Sequence, residues 1–293
     1  MTITLRCATP DSLEEVADVV AAWQHQGGPV QLHPGDIGWQ YRLGAQEVSD
    51  SVRVWRRDGQ ILAAGMVDGQ TVIRMAIAPD VDEDDAFAEH LVADLANPAS
   101  GVLPAGPGTV EARSGAALRD LLRRNGWQPD EPWTPLSRNL TTPVPGSRLR
   151  VEVITTNDVR DPVVRDCVAV QLASFARSTF TVQQWHVMTL APAYRRARCL
   201  VGYDPKGRAV AAVTVWSAGQ GRPGLLEPLG VHQDHRGHGY GTAISVAAAA
   251  ALQEMGSSSA TVCTPSSNVG AVATYVSAGF RQLADVTDFR RPG

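Results

Sequence analysis

The stretch LEPLGVHQDHRGHGYGTAISVAAAAALQEMG (226–256) decides how the chain is read. An apolar strand ends at Val231, a turn follows with Arg236, Gly237, Gly239 and Gly241, and an Ala-rich helix starts near Thr242 and can stop at Gly256. Glycines let a backbone approach an anion closely, turn amides point inward, and a helix N-terminus adds positive potential. The segment therefore reads as a cradle for a pyrophosphate. The dinucleotide fingerprint requires G-x-G-x-x-G and an acidic residue about 20 positions later. Here the glycines run G-x-G-x-G and the helix leads into GSSSATV. The nucleotide-triphosphate loop fails too, because no Gly-Lys-Ser/Thr is present.

What remains, Arg-x-x-Gly-x-Gly behind an apolar strand, resembles the acyl-CoA motif of the GCN5-related N-acetyltransferase (GNAT) superfamily. Downstream, Asn268, Ala271, Tyr275, Gly279 and Phe280 reproduce that family's N-x-x-A-x-x-x-Y-x-x-x-G-F pattern. The resemblance implies a mixed, V-shaped sheet with acetyl-CoA or another acyl-CoA in the wedge. It places the pyrophosphate on Arg236, Gly237, His238, Gly239, Tyr240, Gly241 and Thr242. It also sets the pantetheine arm against Leu229, Gly230 and Val231 and near Asn268 and Ala271, with Tyr275 beside the leaving sulfur. The implied reaction is acyl transfer to a primary amine of a small molecule by direct attack in a ternary complex.

The base is not given by the resemblance. Glu227 lies on the same strand, and period-two alternation puts it on the face of Leu229 and Val231. A carboxylate whose surroundings raise its pKa toward the working pH suits the removal of an amine proton, which makes Glu227 the candidate. The segment 174–195 is rich in aromatics, and Phe180, Trp185, His186 and Tyr194 are candidate acceptor-pocket residues or plain packing residues. His232, His235 and His238 surround the loop without completing a recognised ligand set, so no metal is expected.

Outward from this segment, two halves overlay at an offset of about 153 residues. Each has a strand, a helix, a strand meander, a helix, a strand, a helix and a strand, which predicts an α/β (α+β) fold with a mixed central sheet flanked by helices in each half; extended to the first half by the repeat, the resemblance implies two tandem GNAT-like domains. TTPVPGSR (141–148) reads as the connector, between a domain at 1–142 and one at 148–293. In the first half the positions matching the glycine loop are Asp82, Glu83, Asp84, Asp85, Ala86 and Phe87. Such carboxylates repel a pyrophosphate, so that half reads as a degenerate, non-catalytic copy. Lys+Arg 26 against Asp+Glu 30 gives a net charge of −4, which argues against nucleic acid as a partner. No apolar run approaches the roughly 20 residues of a membrane span, and no export signal opens the chain, so a cytoplasmic location is expected. The alternative reading is a non-catalytic acyl-CoA sensor or partner-binding module.

Overall fold

The computed structural model describes residues 2–291. In the first half, β1 (Ile3–Cys7) leads through α1 (Leu13–Ala22), α2 (Pro34–Gln40) and α3 (Ala45–Ser51) to the meander β2 (Val52–Arg57), β3 (Gln60–Asp68) and β4 (Val72–Ile77). Then come α4 (Asp85–Ala96), β5 (Thr109–Glu111), α5 (Ala116–Arg124) and β6 (Gln128–Asn139). The second half repeats the plan with β7 (Arg150–Ile154), α6 (Asp161–Ser174), α7 (Val182–Met188), β8 (Ala197–Tyr203), β9 (Ala209–Ser217) and β10 (Gly224–Val231). It finishes with α8 (Tyr240–Glu254), β11 (Ser259–Pro265), α9 (Val269–Ser277), β12 (Arg281–Gln282) and β13 (Val286–Arg290).

Among the described residues all thirteen strands belong to one sheet, in the order β1-β2-β3-β4-β5-β13-β6-β11-β10-β9-β8-β7, with β12 also on β6. The sheet does not divide where the connector does. β6 precedes the connector in sequence but pairs antiparallel with β11, from Ser259↔Asn139 to Pro265↔Trp133. β13, the last strand of the chain, pairs with β5 of the first half. The cores follow the same exchange: Phe289 of β13 packs in the first-half core, and Leu136 and Leu140 pack in the second. The connector itself is tied down, since Gln253 on α8 donates to the carbonyls of Leu140 and Thr142 and accepts from Val144 N–H.

The wedge comes from parallel pairing that stops early. β10 pairs with β11 only at Gly224↔Ala260 and Leu225↔Thr261, and beyond them the strands part. β10 keeps its other neighbour, β9, through Leu229, Gly230 and Val231. An extended strand offers hydrogen-bonding groups on both edges, so this part of β10 keeps one edge free for a ligand. α8 closes as its sequence suggests: Gly256 takes φ 80°, its N–H donates to Gln253 O, and Ser257 N–H donates to Leu252 O. Such bonds satisfy carbonyls that a helix end leaves open.

Because each half completes the other's sheet, residues 148–293 expressed alone are expected to aggregate or stay unfolded by circular dichroism, and to recover on co-expression with residues 1–147. A soluble, monomeric and fully active 148–293 fragment would contradict the exchange.

Candidate active site

A cleft of about 640 Å3 opens between the ends of β10 and β11. Of the residues expected there, Leu229, Gly230, Val231, Arg236, Gly237, Gly239, Tyr240, Gly241, Thr242, Asn268, Ala271 and Tyr275 all line it. His238 does not line it; it stacks on Tyr240 at 5.7 Å, with its Nδ1 at 2.9 Å from Arg236 O. The loop needs its glycines locally: Gly237 and Gly239 have φ of 80° and 77°, a region costly to residues with a Cβ. Within the described residues, the amides from Gly237 through Thr242 donate to no acceptor, which leaves them free to face an anion. Arg236 has a structural task as well, since its Nη2 donates to Ser174 O at the end of α6 at 2.7 Å. Asn268 caps α9 by accepting from Ala271 N–H at 3.2 Å. The free amides, the bare loop and the volume fit a CoA pyrophosphate and pantetheine arm.

Tyr275 stands on the cleft wall, packed against Phe280 at 5.7 Å between ring centroids. Burial pushes its phenol pKa up, and the Glu227 charge adds to the rise. The phenol is therefore protonated near neutrality and has a proton to give.

Glu227 lies elsewhere than strict alternation predicts. The β10 register breaks between Leu226 and Leu229. Leu229 and Val231 consequently face the cleft, whereas Glu227 opens on a separate cavity of about 90 Å3. Burial is the main cause that lifts its pKa to about 7, helped by Asp36 and opposed by Arg74. The Glu227 main chain is pinned by Trp216, whose Nε1 donates to Glu227 O at 2.6 Å.

Every other residue of that small cavity comes from the first half, among them Asp36, Trp39, Arg42, Asp68 and Arg74. Asp36 and Trp39 stand on α2, the turn that follows it supplies Arg42, and β3 and β4 supply Asp68 and Arg74. His33 caps α2, accepting Gly35 N–H on Nδ1 at 3.0 Å while Nε2 reaches Pro223 O of the second half at 3.3 Å. Burial drives His33 down to about 4, so the ring is neutral and Nε2 carries the proton. Gly35 and Gly38 then lay bare backbone against the indole of Trp216: a Cβ on Gly35 would sit 2.5 Å from the ring, and one on Gly38 would also overlap it. The sequence signals for this were the His-Pro-Gly-Asp start and the Gly-x-x-Gly spacing of residues 33–38, which put two glycines on one helix face.

The aromatic segment is divided. Trp185 and Tyr194 are fully buried and stack edge to face at 6.1 Å, with Tyr194 meeting Trp216 at 5.9 Å. They are core residues beneath β8 and β9 rather than cavity walls, because large rings best satisfy this layer by packing together. Phe180 is buried against Trp39 of α2 at 5.0 Å, and His186 meets the edge of Trp185 at 5.2 Å. Phe180 therefore stands behind the cavity wall, and neither it nor His186 lines the cavity.

In the first half the corresponding cleft, about 480 Å3, is lined by Asp80, Asp82 and Glu83. Its free strand edge is used internally: Ile77 N–H donates to Ser114 Oγ at 3.2 Å, and Ser114 Oγ donates to Gln31 Oε1 at 2.5 Å. The loop carboxylates have local partners too. Asp82 accepts from Gly115 N–H, and Asp84 caps α4 and pairs with Arg57. A further cleft of about 630 Å3 at the seam, lined by the 24–31 loop and β6, holds none of the expected residues.

Residues 169–280 match the model of the Acetyltransferase (GNAT) family. The chain carries a GNAT fold. Among solved structures, it is similar to a GCN5-related N-acetyltransferase from Sphaerobacter thermophilus, with 19% identity, a TM-score of 0.57, and coverage of 99% of this chain and 95% of the other. A tandem GNAT protein from the clavulanic acid biosynthesis pathway has 14% identity and a TM-score of 0.61, covering 99% and 98%. A GNAT-family acetyltransferase from Colwellia psychrerythraea has 13% identity and a TM-score of 0.61, covering 99% of both chains. Comparison with curated proteins gives no match. No helix among the described residues is long and apolar enough to cross a membrane.

An alanine in a helix interior normally gains about 1 kcal/mol over glycine. Gly38→Ala is nevertheless expected to lower stability in urea by about 1–3 kcal/mol, the usual cost of overpacking. A gain in stability would contradict the close seating of α2 on Trp216.

Proposed function

We propose that the protein is an acyl-CoA-dependent N-acyltransferase that moves an acetyl or other acyl group to a primary amine of a small molecule. The observation that carries this reading is the splayed β10–β11 cleft: unpaired loop amides stand at one end, Tyr275 on its wall, and Glu227 on the strand that forms its edge. The amides from Gly237 to Thr242 would hold the pyrophosphate, and the free edge of β10 at Leu229–Val231 would hold the pantetheine arm. A strand N–H there would also stabilise the oxyanion of the tetrahedral intermediate.

In the transfer step the amine nitrogen bonds to the thioester carbonyl carbon, the C–S bond breaks, and the sulfur leaves with the electron pair. Glu227 takes the amine proton directly or through water, and Tyr275 gives a proton to the thiolate. No acyl-enzyme is needed, so both substrates meet in a ternary complex. The first half, with its self-satisfied strand edge and acidic loop, serves in this reading as a non-catalytic copy that walls the acceptor side of Glu227. The matching family and the fold support the transfer reading over that of a non-catalytic sensor. A cytoplasmic location is part of the proposal.

Thiol release from acetyl-CoA with a panel of small amines tests the reading. kcat/KM is expected to rise with pH and level off above about 7, where Glu227 is ionised. Glu227→Gln is expected to lose about 100- to 10,000-fold and to flatten the profile. CoA binding without thiol release for any amine would favour the sensor.

Stability gives an independent check. Glu227 is raised from 4.5 to about 7, so between those values the folded state holds more protons than the unfolded state and stability falls as pH rises. Glu227→Gln is therefore expected to raise Tm relative to wild type at about pH 8 and to change it little at about pH 4. Equal shifts at both would mean that the carboxylate does not carry the strain assigned to it.

A further inference from the structure

Arg42 differs from the other arginines on the acceptor side. Arg74 has Asp36 at 3.0 Å, Asp68 at 3.2 Å and Glu111 at 3.7 Å. Arg113 has Glu111 at 3.3 Å and Asp288 at 3.4 Å. Arg42 lines the 90 Å3 cavity with no carboxylate at ion-pair distance among the described residues. Neutral groups hold it instead: its Nη1 donates to Trp39 O at 2.9 Å and to Gln40 Oε1 at 3.0 Å, and the guanidinium lies 4.3 Å over the Trp39 ring. It is thus a mostly buried, oriented cation whose partners leave its charge unmatched. Burial accordingly pulls its pKa down, against the distant pull of Asp68 and Glu227.

Glu227 presents the complementary shortage. Its carboxylate opens on the same cavity and accepts no hydrogen bond among the described residues. The neighbouring acids do not relieve it: Asp36 and Asp68 are committed to Arg74, and their charges add to its strain. One wall therefore offers a cation without an anion and another offers an anion without a cation, across a space that admits only a few heavy atoms. A plain amine would satisfy Glu227 and leave Arg42 unmatched. A diamine would bring a second positive charge against Arg42. Only a ligand with both charges close together answers both walls, because a buried charge is tolerated when paired.

We propose that the acceptor is a small amino acid-like zwitterion, its carboxylate held by Arg42 and its amino group presented to Glu227. This rests on the acyl-transfer reading and names the acceptor class for the same site. In it the first half acts as the specificity element, because Arg42 follows directly on α2.

The test compares proteinogenic amino acids and β-alanine, each against its own primary amide, together with propylamine and ethylenediamine. Thiol release gives kcat/KM, and calorimetry on the CoA-loaded full chain gives binding without turnover. At least one free acid is expected to exceed its amide by roughly 10- to 100-fold, the worth of a hydrogen bond to a charged group. Arg42→Gln, checked for an unchanged unfolding transition, is expected to bring that ratio to within about threefold. Turnover of amines with no advantage for the acid, or with ethylenediamine preferred, would overturn the zwitterion and leave acyl transfer standing. Binding of an amino acid that Arg42→Gln weakens, with no thiol released, would keep the pocket and overturn acyl transfer. Neither binding nor release would overturn both.

Discussion

The indole of Trp216 is the contact on which the site depends. Its nitrogen holds the carbonyl of Glu227, its face receives the bare backbone of α2 at Gly35 and Gly38, and its edge meets Tyr194 in the core. One rigid, fully buried ring therefore fixes the position of the proposed base and of the helix that walls it. Tight interiors transmit displacement because they contain little free volume. A shift in α2 would consequently reach Glu227 through a single side chain, with no flexible loop between.

The exchange of β6 and β13 makes this junction permanent. Each half lends its last strand to the other's sheet, with Phe289 buried in one core and Leu136 in the other. The two halves share one overall element order yet differ at their loops and strand edges. In the second, β10 keeps a free edge beside a bare glycine loop. In the first, Gln31 and Ser114 occupy the corresponding edge, and the loop acids act as helix caps and ion-pair partners. Carboxylates in that loop thus have folding roles that a cofactor loop could not give them.

The local features were legible in the sequence and the long-range ones were not. Glycines at 237 and 239 and the helix stop at Gly256 are dictated within a few residues, and all three take the positive φ that such turns need. Gly241 lies in the first turn of α8, which starts at Tyr240 rather than near Thr242, and the cap that Asn268 supplies to α9 is a role the motif alone does not state. The face of Glu227 departs from alternation because an irregularity in β10 breaks the two-residue period. Trp185 and Tyr194 read equally well as pocket or core, since composition does not say which way a ring points; packing against Trp216 decided for core. The strand exchange joins residues about 130 positions apart, such as Leu136 and Val262, and no local pattern encodes such a pairing. Asp36, Trp39 and Arg42 carry no local signal for a related reason: they sit in the half whose loop has no glycines, and only the seam brings them to Glu227.

Charge ties these parts together. Asp36 and Glu111 are buried, Glu227 is half-buried, and all three are raised, while Arg74 and Arg113 bridge them without full compensation. Such a cluster destabilises a fold and so makes physical sense where it holds a base ready for an incoming cation. The account stands on one cofactor cleft, in the second half alone. Calorimetric titration of acetyl-CoA into the full-length protein measures this directly: the account requires one site per chain, lost when Gly237 and Gly239 are both replaced by valine. Two equivalent sites, no site, or a single site indifferent to that replacement would contradict it.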